Sequence, residues 1–366
     1  MSTWFWNIVA LFTLCICMSG FIIPQILLIA FRKKLFDVPD ERKIHTSLVP
    51  RLGGIAFTPV AFFAIFLVLG VNLALGNGSV LAEASTELCP LLFGLCGMLV
   101  MFLVGIADDL VGVRYVAKFV AQIFCACLLI GGGIWFNDFH GVLGLGSVPA
   151  WIGYPFTVLM IVFIINAVNL IDGIDGLASG LSGIACLIYA VIFYIEGVYF
   201  YAMLAVATLG VLLPFFYFNV FGDPAKRKKI FMGDTGSLTI GIVLSMLSLR
   251  VNMIGGEGFV DGWNPLVAAF MPLFVPCGDV VRVYLYRVRN GRNPFLPDKN
   301  HIHHKLLAYG MSQRWAMVSL IVGTFVLVGV NIILSGVVNV NLLLMADAGL
   351  WVGLNIWLSH KVASHR

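Results

Sequence analysis

Four polar side chains recur at every third position in the stretch "NAVNLIDGIDGLA": Asn166, Asn169, Asp172 and Asp175. The chain before it, "VLMIVFII", is pure hydrocarbon, and the chain after it soon becomes "IACLIYAVIF". On a helix this spacing draws a slowly drifting stripe, and Gly173 and Gly176 loosen the helix within it. Polar glue between helices is one use for such residues. Two carboxylates beside two glycines suit a ligand or a cation better.

Four further clusters carry chemistry. "GIADDLVG" sets Asp108 beside Asp109, a repelling pair that water, a cation or a basic neighbour must compensate. Lys118 and Gln122 follow on one helical face, four residues apart. In "KKIFMGDTGSLTIG", Asp234 stands between Gly233 and Thr235 at a helix start. Thr235 or Ser237 could serve there as an N-cap, and a glycine-flanked carboxylate could hold a cation close to a phosphate. "RNGRNPFLPDKNHIHHKLL" gathers His301, His303 and His304 with Arg289, Arg292, Lys299 and Lys305. The cationic company, the missing cysteine and the lack of an i, i+4 histidine pair argue against zinc and for a basket that holds phosphate. "DERKIHTSLVPRLGG" supplies Lys43, His45 and Arg51, which either fix topology or reach an anionic headgroup.

Carboxylates alone would repel an anionic substrate, and cations alone would make a lipid-binding patch. Together they point to a divalent metal with phosphates. Mg²⁺ takes oxygen ligands, keeps several waters, and uses one or two carboxylates plus substrate phosphates. No G-x-x-x-x-G-K-[ST] loop is present, which excludes a P-loop ATPase.

The elements that position these residues are membrane spans. The chain of 366 residues is 60% hydrophobic and 11% charged, with a mean hydropathy of +1.00. Soluble domains carry about 25% charged residues, so the composition predicts an all-α, polytopic integral membrane protein. Eleven runs are long enough to span, near 4–30, 52–75, 88–106, 115–136, 150–168, 178–196, 199–221, 236–254, 264–286, 315–334 and 342–358. No repeat or linker divides them, so 1–366 reads as a single transmembrane domain. The first run is too long for a cleaved signal peptide, and no basic residue precedes it.

Lysine and arginine set the orientation. All but one of the 22 fall in the loops near 31–51, 107–114, 169–177 and 222–235, in the start of the helix after 107–114, in the segment from Arg282 to Arg314 that holds the loop near 287–314, and in the C-terminal tail. Arg250 is the exception. The positive-inside rule makes those loops cytoplasmic, with the N-terminus outside and the C-terminus inside. The net charge of +4 therefore reports topology and attraction to lipid headgroups, and no nucleic acid is expected. The eight cysteines lie in or near apolar spans without a C-x-x-C, and read as buried small hydrophobes. An aspartate at a span centre costs about 2.5–3.5 kcal/mol. Asp108, Asp109, Asp172, Asp175 and Asp234 are therefore expected at the cytoplasmic ends, facing a wet cleft.

"ADD", "NAVNLIDGIDGLA", "FMGDTGS" and "HIHHKLL", in that order on one side of a membrane and with "VPRLGG" upstream, resemble the polyprenyl-phosphate N-acetylhexosamine-1-phosphate transferases. The resemblance covers roughly residues 30–310. The H-I-H-H form and eleven spans resemble the branch that initiates O-antigen, enterobacterial common antigen or teichoic acid linkage units. That likeness implies a bacterial cytoplasmic (inner) membrane enzyme. It would transfer N-acetylglucosamine-1-phosphate from UDP-N-acetylglucosamine to undecaprenyl phosphate, releasing UMP, with Mg²⁺ or Mn²⁺ as cofactor.

Matched motif to motif, the resemblance implies Asp234 as the principal metal ligand, completed by Asn169 or Asp172. Asp172 and Phe231 would hold the uridine end, Phe231 by stacking, with Asn166 and Asn169 beside it. Asp108 and Asp109 would sit near the attacking lipid phosphate, with Lys118 as the basic residue that follows the pair and Asp175 among the reacting groups. His301, His303, His304 and Arg292 would hold the pyrophosphate and sugar, and Lys43, His45 and Arg51 would meet anionic substrate. The family often carries a third acidic residue, D-D-x-x-D or D-D-x-x-N. Here that position is Gly112, so its roles fall on Asp108 and Asp109.

The physics agrees with this division. Two unit charges at 4 Å repel by about 4 kcal/mol at an effective dielectric of 20, so neutralising and aligning two phosphates is the main task. An ion-coupled transporter is the chief rival, but it would carry charges at the midplane and usually a repeat. A lipid-binding scaffold without catalysis is a second. The choice of UDP-sugar, the polymer built and a homodimer are left open by the sequence.

Overall fold

The computed structural model describes residues 3–36, 49–77, 85–255, 259, 262–293 and 300–364. Among these residues the long elements are all helices: α1 (Thr3–Lys33), α2 (Phe57–Ala74), α3 (Ser85–Val111), α4 (Tyr115–Gly131), α5 (Ala150–Ile171), α6 (Leu177–Ile195), α7 (Tyr199–Val220) and α8 (Gly233–Ile254). They are followed by α9 (Pro265–Phe270), α10 (Phe274–Arg289), α11 (Ile302–Ala308), α12 (Gln313–Ser335) and α13 (Val340–Ser364). An apolar run in lipid has no water for its backbone, and a helix satisfies those groups internally.

Among the described residues, ten helical segments are long and apolar enough to cross a membrane. The protein is a multi-pass membrane protein. The remaining expected span, 115–136, forms the shorter α4 of 17 residues, which Gly132 closes. At 1.5 Å per residue α4 is about 26 Å long, the lower end of what a span requires. The span expected at 264–286 is broken. Asn264 caps α9 by accepting from the N–H groups of Leu266 and Val267. A 3₁₀ turn, Met271–Leu273, then separates α9 from α10. Pro272 lies in that turn and can donate no backbone hydrogen bond.

α8 is the axis of the bundle and the most deeply buried span. It packs against α3, α5, α6 and α9. Its first turn is gripped by backbone on two sides. A Cβ built on Gly54 would lie 2.1 Å from the Gly236 nitrogen, and one on Gly105 would lie 2.3 Å from the Thr235 Cα. Only hydrogen fits at those two positions, which lets α3 and the segment before α2 touch the start of α8. Residues 50–54 also hydrogen-bond to residues 231–232: Phe231 N–H donates to Pro50 O, Gly53 N–H to Phe231 O and Gly54 N–H to Met232 O. At the far end of α8, Arg250 donates to both carboxylate oxygens of Glu87 and lies over the Tyr201 ring. This pairing accommodates the one basic residue that breaks the charge asymmetry.

The cysteines correct one expectation. All eight are free, but only Cys15, Cys125 and Cys186 are buried, while Cys17, Cys89, Cys96 and Cys127 face outward. In an apolar span the outward face meets lipid, so a small apolar side chain there carries no penalty.

Candidate active site

Three helix ends converge. α3 runs out just past Asp108 and Asp109, α5 ends at Ile171 with Asp172 as its C-cap, and α8 begins at Gly233 with Asp234 in its first turn. The carboxylates lie at helix ends, as their desolvation cost requires.

Lys118 on α4 is the centre of this cluster. Its ammonium is 2.9 Å from an Asp108 oxygen and 3.0 Å from Asp234 Oδ2. The other Asp108 oxygen accepts from the Val113 N–H at 2.6 Å, and Asp234 Oδ1 accepts from the Asn169 amide at 3.0 Å. Asn169 also donates to Ser237 Oγ at 2.8 Å. Gly112, at a φ of +74°, closes α3 by donating to Asp108 O. Gly112 thus serves to turn the chain at the position where the resemblance would put a third acid.

Asp109 has a different part. The residue at the N-cap position of α8, Met232, offers no side-chain oxygen. Asp109 reaches across from α3 and does the capping: one oxygen accepts from the Asp234 N–H at 2.8 Å, the other from the Thr235 N–H at 2.9 Å and the Thr235 hydroxyl at 2.6 Å. A helix N-terminus presents unsatisfied N–H groups and a partial positive charge, so a carboxylate there is held firmly. Thr235 and Ser237 are therefore not the caps: Thr235 donates its hydroxyl to Asp109, and Ser237 donates to Gly233 O.

The stripe divides the same way. Asn166 donates to Gln122 at 2.7 Å and to Val162 O, and so joins α5 to α4. Asp175 lies past the helix and pairs with Lys229 at 2.6 Å, both side chains nearly buried. Asn219 stitches the same turn in place, accepting from the Gly176 N–H and donating to Ile230 O. Gly176 itself needs its φ of +77° to start α6. Asp172 is accessible to solvent yet ringed by protein. That surrounding protein pushes its carboxyl up to about 7, with Arg51 opposing and the charges of Asp234, Asp175 and Asp109 adding to the rise.

The histidines close the other wall. His303 is buried with its ring against Gly173, where a Cβ would lie 2.2 Å from Nε2. Its ring stacks parallel to His301 at 5.8 Å and tilts against His304 at 4.3 Å. Neither His303 ring nitrogen has a hydrogen-bond partner among the described residues. Burial, with His304 and His301 nearby, pushes its pKa down to about 3 against the pull of Asp279. An unfolded histidine titrates near 6.5, so between those values the unfolded chain binds more protons. Stability is then lost as pH falls from about 6.5 towards 3. The expected result is a His303 imidazole NMR signal that does not titrate between pH 5 and 8. A midpoint in that window would contradict the burial argument.

Arg292 is exposed after α10, its N–H bonded to Arg287 O, and Phe231 is half-buried with its backbone pinned to Pro50 and Gly53. Lys43 and His45 lie outside the described residues, as does Lys299. Sequence reading missed Lys229, Asn219 and Asp279. Asp279 is wholly buried within α10 and accepts from Arg282, from His301 Nδ1 at 2.8 Å and from the Ile302 N–H at 3.0 Å. A lone carboxylate inside an apolar span, with arginine three residues on, was the signal for it.

As to a metal, no three His, Cys, Asp or Glu side chains form a cage among the described residues. The donor set is nonetheless hard oxygen, and the Lys118 ammonium marks a place where positive charge sits about 3 Å from both Asp108 and Asp234. Mg²⁺ needs one or two carboxylates when substrate phosphates complete its shell, and Asp234, Asp172 and the Asn169 carbonyl fit that requirement.

The multi-pass helical bundle thus gathers carboxylates, an ammonium and histidines where its helix ends converge. Residues 91–252 match the family described as Glycosyl transferase family 4. The chain is 32% identical to the probable undecaprenyl-phosphate N-acetylglucosaminyl 1-phosphate transferase of Bacillus subtilis (strain 168), over 96% of this chain and 88% of that one. It is 32% identical to the decaprenyl-phosphate N-acetylglucosaminephosphotransferase of Mycobacterium tuberculosis (strain H37Rv), over 78% and 72%. Against the undecaprenyl-phosphate alpha-N-acetylglucosaminyl 1-phosphate transferase of Salmonella typhi the identity is 30%, over 83% and 77%. The chain belongs to this family of polyprenyl-phosphate glycosyl-1-phosphate transferases.

Proposed function

We propose that the protein transfers N-acetylglucosamine-1-phosphate from UDP-N-acetylglucosamine to undecaprenyl phosphate, at the cytoplasmic face of a bacterial inner membrane. An oxygen of the lipid phosphate attacks the phosphorus that bears the sugar. The bond from that phosphorus to the bridging oxygen breaks, and UMP leaves with the electron pair. The observation that carries this reading is the Lys118 ammonium held between Asp108 and Asp234 at the start of α8. A cation between two carboxylates, with histidines on the facing wall, suits two anionic phosphates that must be brought together.

Lys118 neutralises the incoming lipid phosphate, and Asp108 holds Lys118. Asp234, Asp172 and Asn169 would hold Mg²⁺, which when bound supplies charge neutralisation of the donor diphosphate. Arg51 balances Asp172, and the histidine wall orients the donor. The N-terminus would be outside and the C-terminus cytoplasmic, because the polar helix ends share a side with the basic loops.

The test is an assay of purified protein in detergent with undecaprenyl phosphate, Mg²⁺ and a panel of UDP-N-acetylhexosamines. UMP release with UDP-N-acetylglucosamine, lost on chelation with EDTA and restored by Mg²⁺, is the expected result. Product with a different sugar alone would move the specificity. Metal-independent turnover would remove the metal from the scheme.

A further inference from the structure

Asp279 lies outside every stretch that marks the site, yet it is the most heavily engaged carboxylate on the histidine wall. Its two oxygens have separate duties. Oδ1 accepts from the Arg282 guanidinium at 2.7 and 3.2 Å and from the Ile302 N–H at 3.0 Å. Among the described residues Oδ2 meets only His301 Nδ1, at 2.8 Å. Arg282 also donates to Asn300 O, so the α10 side of the contact is tied to the backbone just before His301. Asp279 has no exposure.

We propose that Asp279 is a positioning residue for His301. It fixes the imidazole as the Nδ1–H tautomer and aims Nε2 at the donor's phosphates. A carboxylate is an acceptor only, so the ring must spend its Nδ1 proton on Oδ2. Nε2, which makes no hydrogen bond among the described residues, is the atom left for substrate, and any second proton binds there. The stacked His303 ring, seated on Gly173 beside Asp172, keeps the plane of His301 facing the nucleotide side of the cleft. That His301 touches the donor at all rests on the function proposed above.

The test exploits the division of labour at Asp279. In Asp279→Asn, Arg282 and the Ile302 N–H still need an acceptor, so the amide oxygen stays at the Oδ1 position. The amide nitrogen then faces His301 and donates to Nδ1, which forces the ring into the Nε2–H tautomer. The same logic makes an isosteric amide costly in a catalytic triad. Side chains that orient a site ligand typically contribute about 10–100-fold.

The expected result for Asp279→Asn is a loss of about 10–100-fold in kcat/KM for the UDP-sugar, with thermal stability in detergent close to the parent's. Long-range ¹H–¹⁵N correlation of the histidines should show His301 protonated at Nδ1 in the parent and at Nε2 in the variant. In a His301→Gln background, Asp279→Asn should cost nothing further. Parent-like activity of Asp279→Asn, where His301→Gln is impaired, would overturn the positioning role alone. Parent-like activity of His301→Gln would overturn the donor contact and the positioning role with it. Should Asp279→Asn not fold, the parent spectrum still decides: an Nε2–H tautomer for His301 overturns the proposal.

Discussion

Asp234→Asn should leave about one-thousandth of the parental turnover or less. Asp234 is the only carboxylate in the cluster that is bonded to both the ammonium of Lys118 and the amide of Asn169. It also sits in the first turn of the central helix, where N–H groups favour negative charge. Asparagine keeps the shape and removes the charge that the proposed metal and the lysine share. Asp108→Asn should be milder, about 10–100-fold, because it loosens Lys118 from one side while Asp234 still holds it. Initial-rate assays of both variants under saturating Mg²⁺ compare them. Retained activity in Asp234→Asn beside an inert Asp108→Asn would show that the metal has been assigned to the wrong carboxylate.

The second large effect is at Asp109, for a different reason. Its neighbour Asp108 faces the lysine, whereas both oxygens of Asp109 are used on the α8 N-terminus. In Asp109→Asn only one acceptor atom remains for donors that now occupy two. A buried donor left unmet costs about 1–3 kcal/mol, and the donors concerned belong to Asp234 itself and the residue after it. We expect a lowered melting temperature together with an activity loss of about 100-fold, since a misplaced ligand carries that scale of penalty. The two adjacent aspartates thus separate by readout: Asp108→Asn lowers turnover with melting unchanged, Asp109→Asn lowers both. Equal melting temperatures for the two variants would refute the capping role.

Hydropathy made the helices legible, because lipid imposes one answer on a long apolar run. It did not show that the span near 264–286 breaks at Met271–Leu273, although Pro265, Pro272 and Pro276 were in view. Composition placed the carboxylates at helix ends, and the structure brings Asp108, Asn169 and Asp234 together around Lys118. What the sequence could not separate was the use of each residue. Asn166 and Asp175 share the stripe with Asn169 and Asp172, yet they bond to Gln122 and Lys229. The partners lie 44 and 54 positions away, so local spacing carries no record of them. The same applies to Asp109 and α8, 125 positions apart. Asp279 was hidden for another reason: one charge within a hydrophobic run reads as noise until its arginine and histidine are seen around it.

The two glycine contacts have a consequence for motion. At Gly54 and Gly105 main chain rests on main chain, with no side chain to change rotamer and absorb a displacement. Such a joint behaves as a fixed anvil. The carboxylate half of the cleft, carried on α3, α8 and residues 50–54, should therefore keep its shape through the catalytic cycle. The opposite jaw, α10 and α11, is held instead by ring stacking and a buried ion pair, contacts made by side chains. Distance measurements by spin labels across the cleft should find their variation on that jaw.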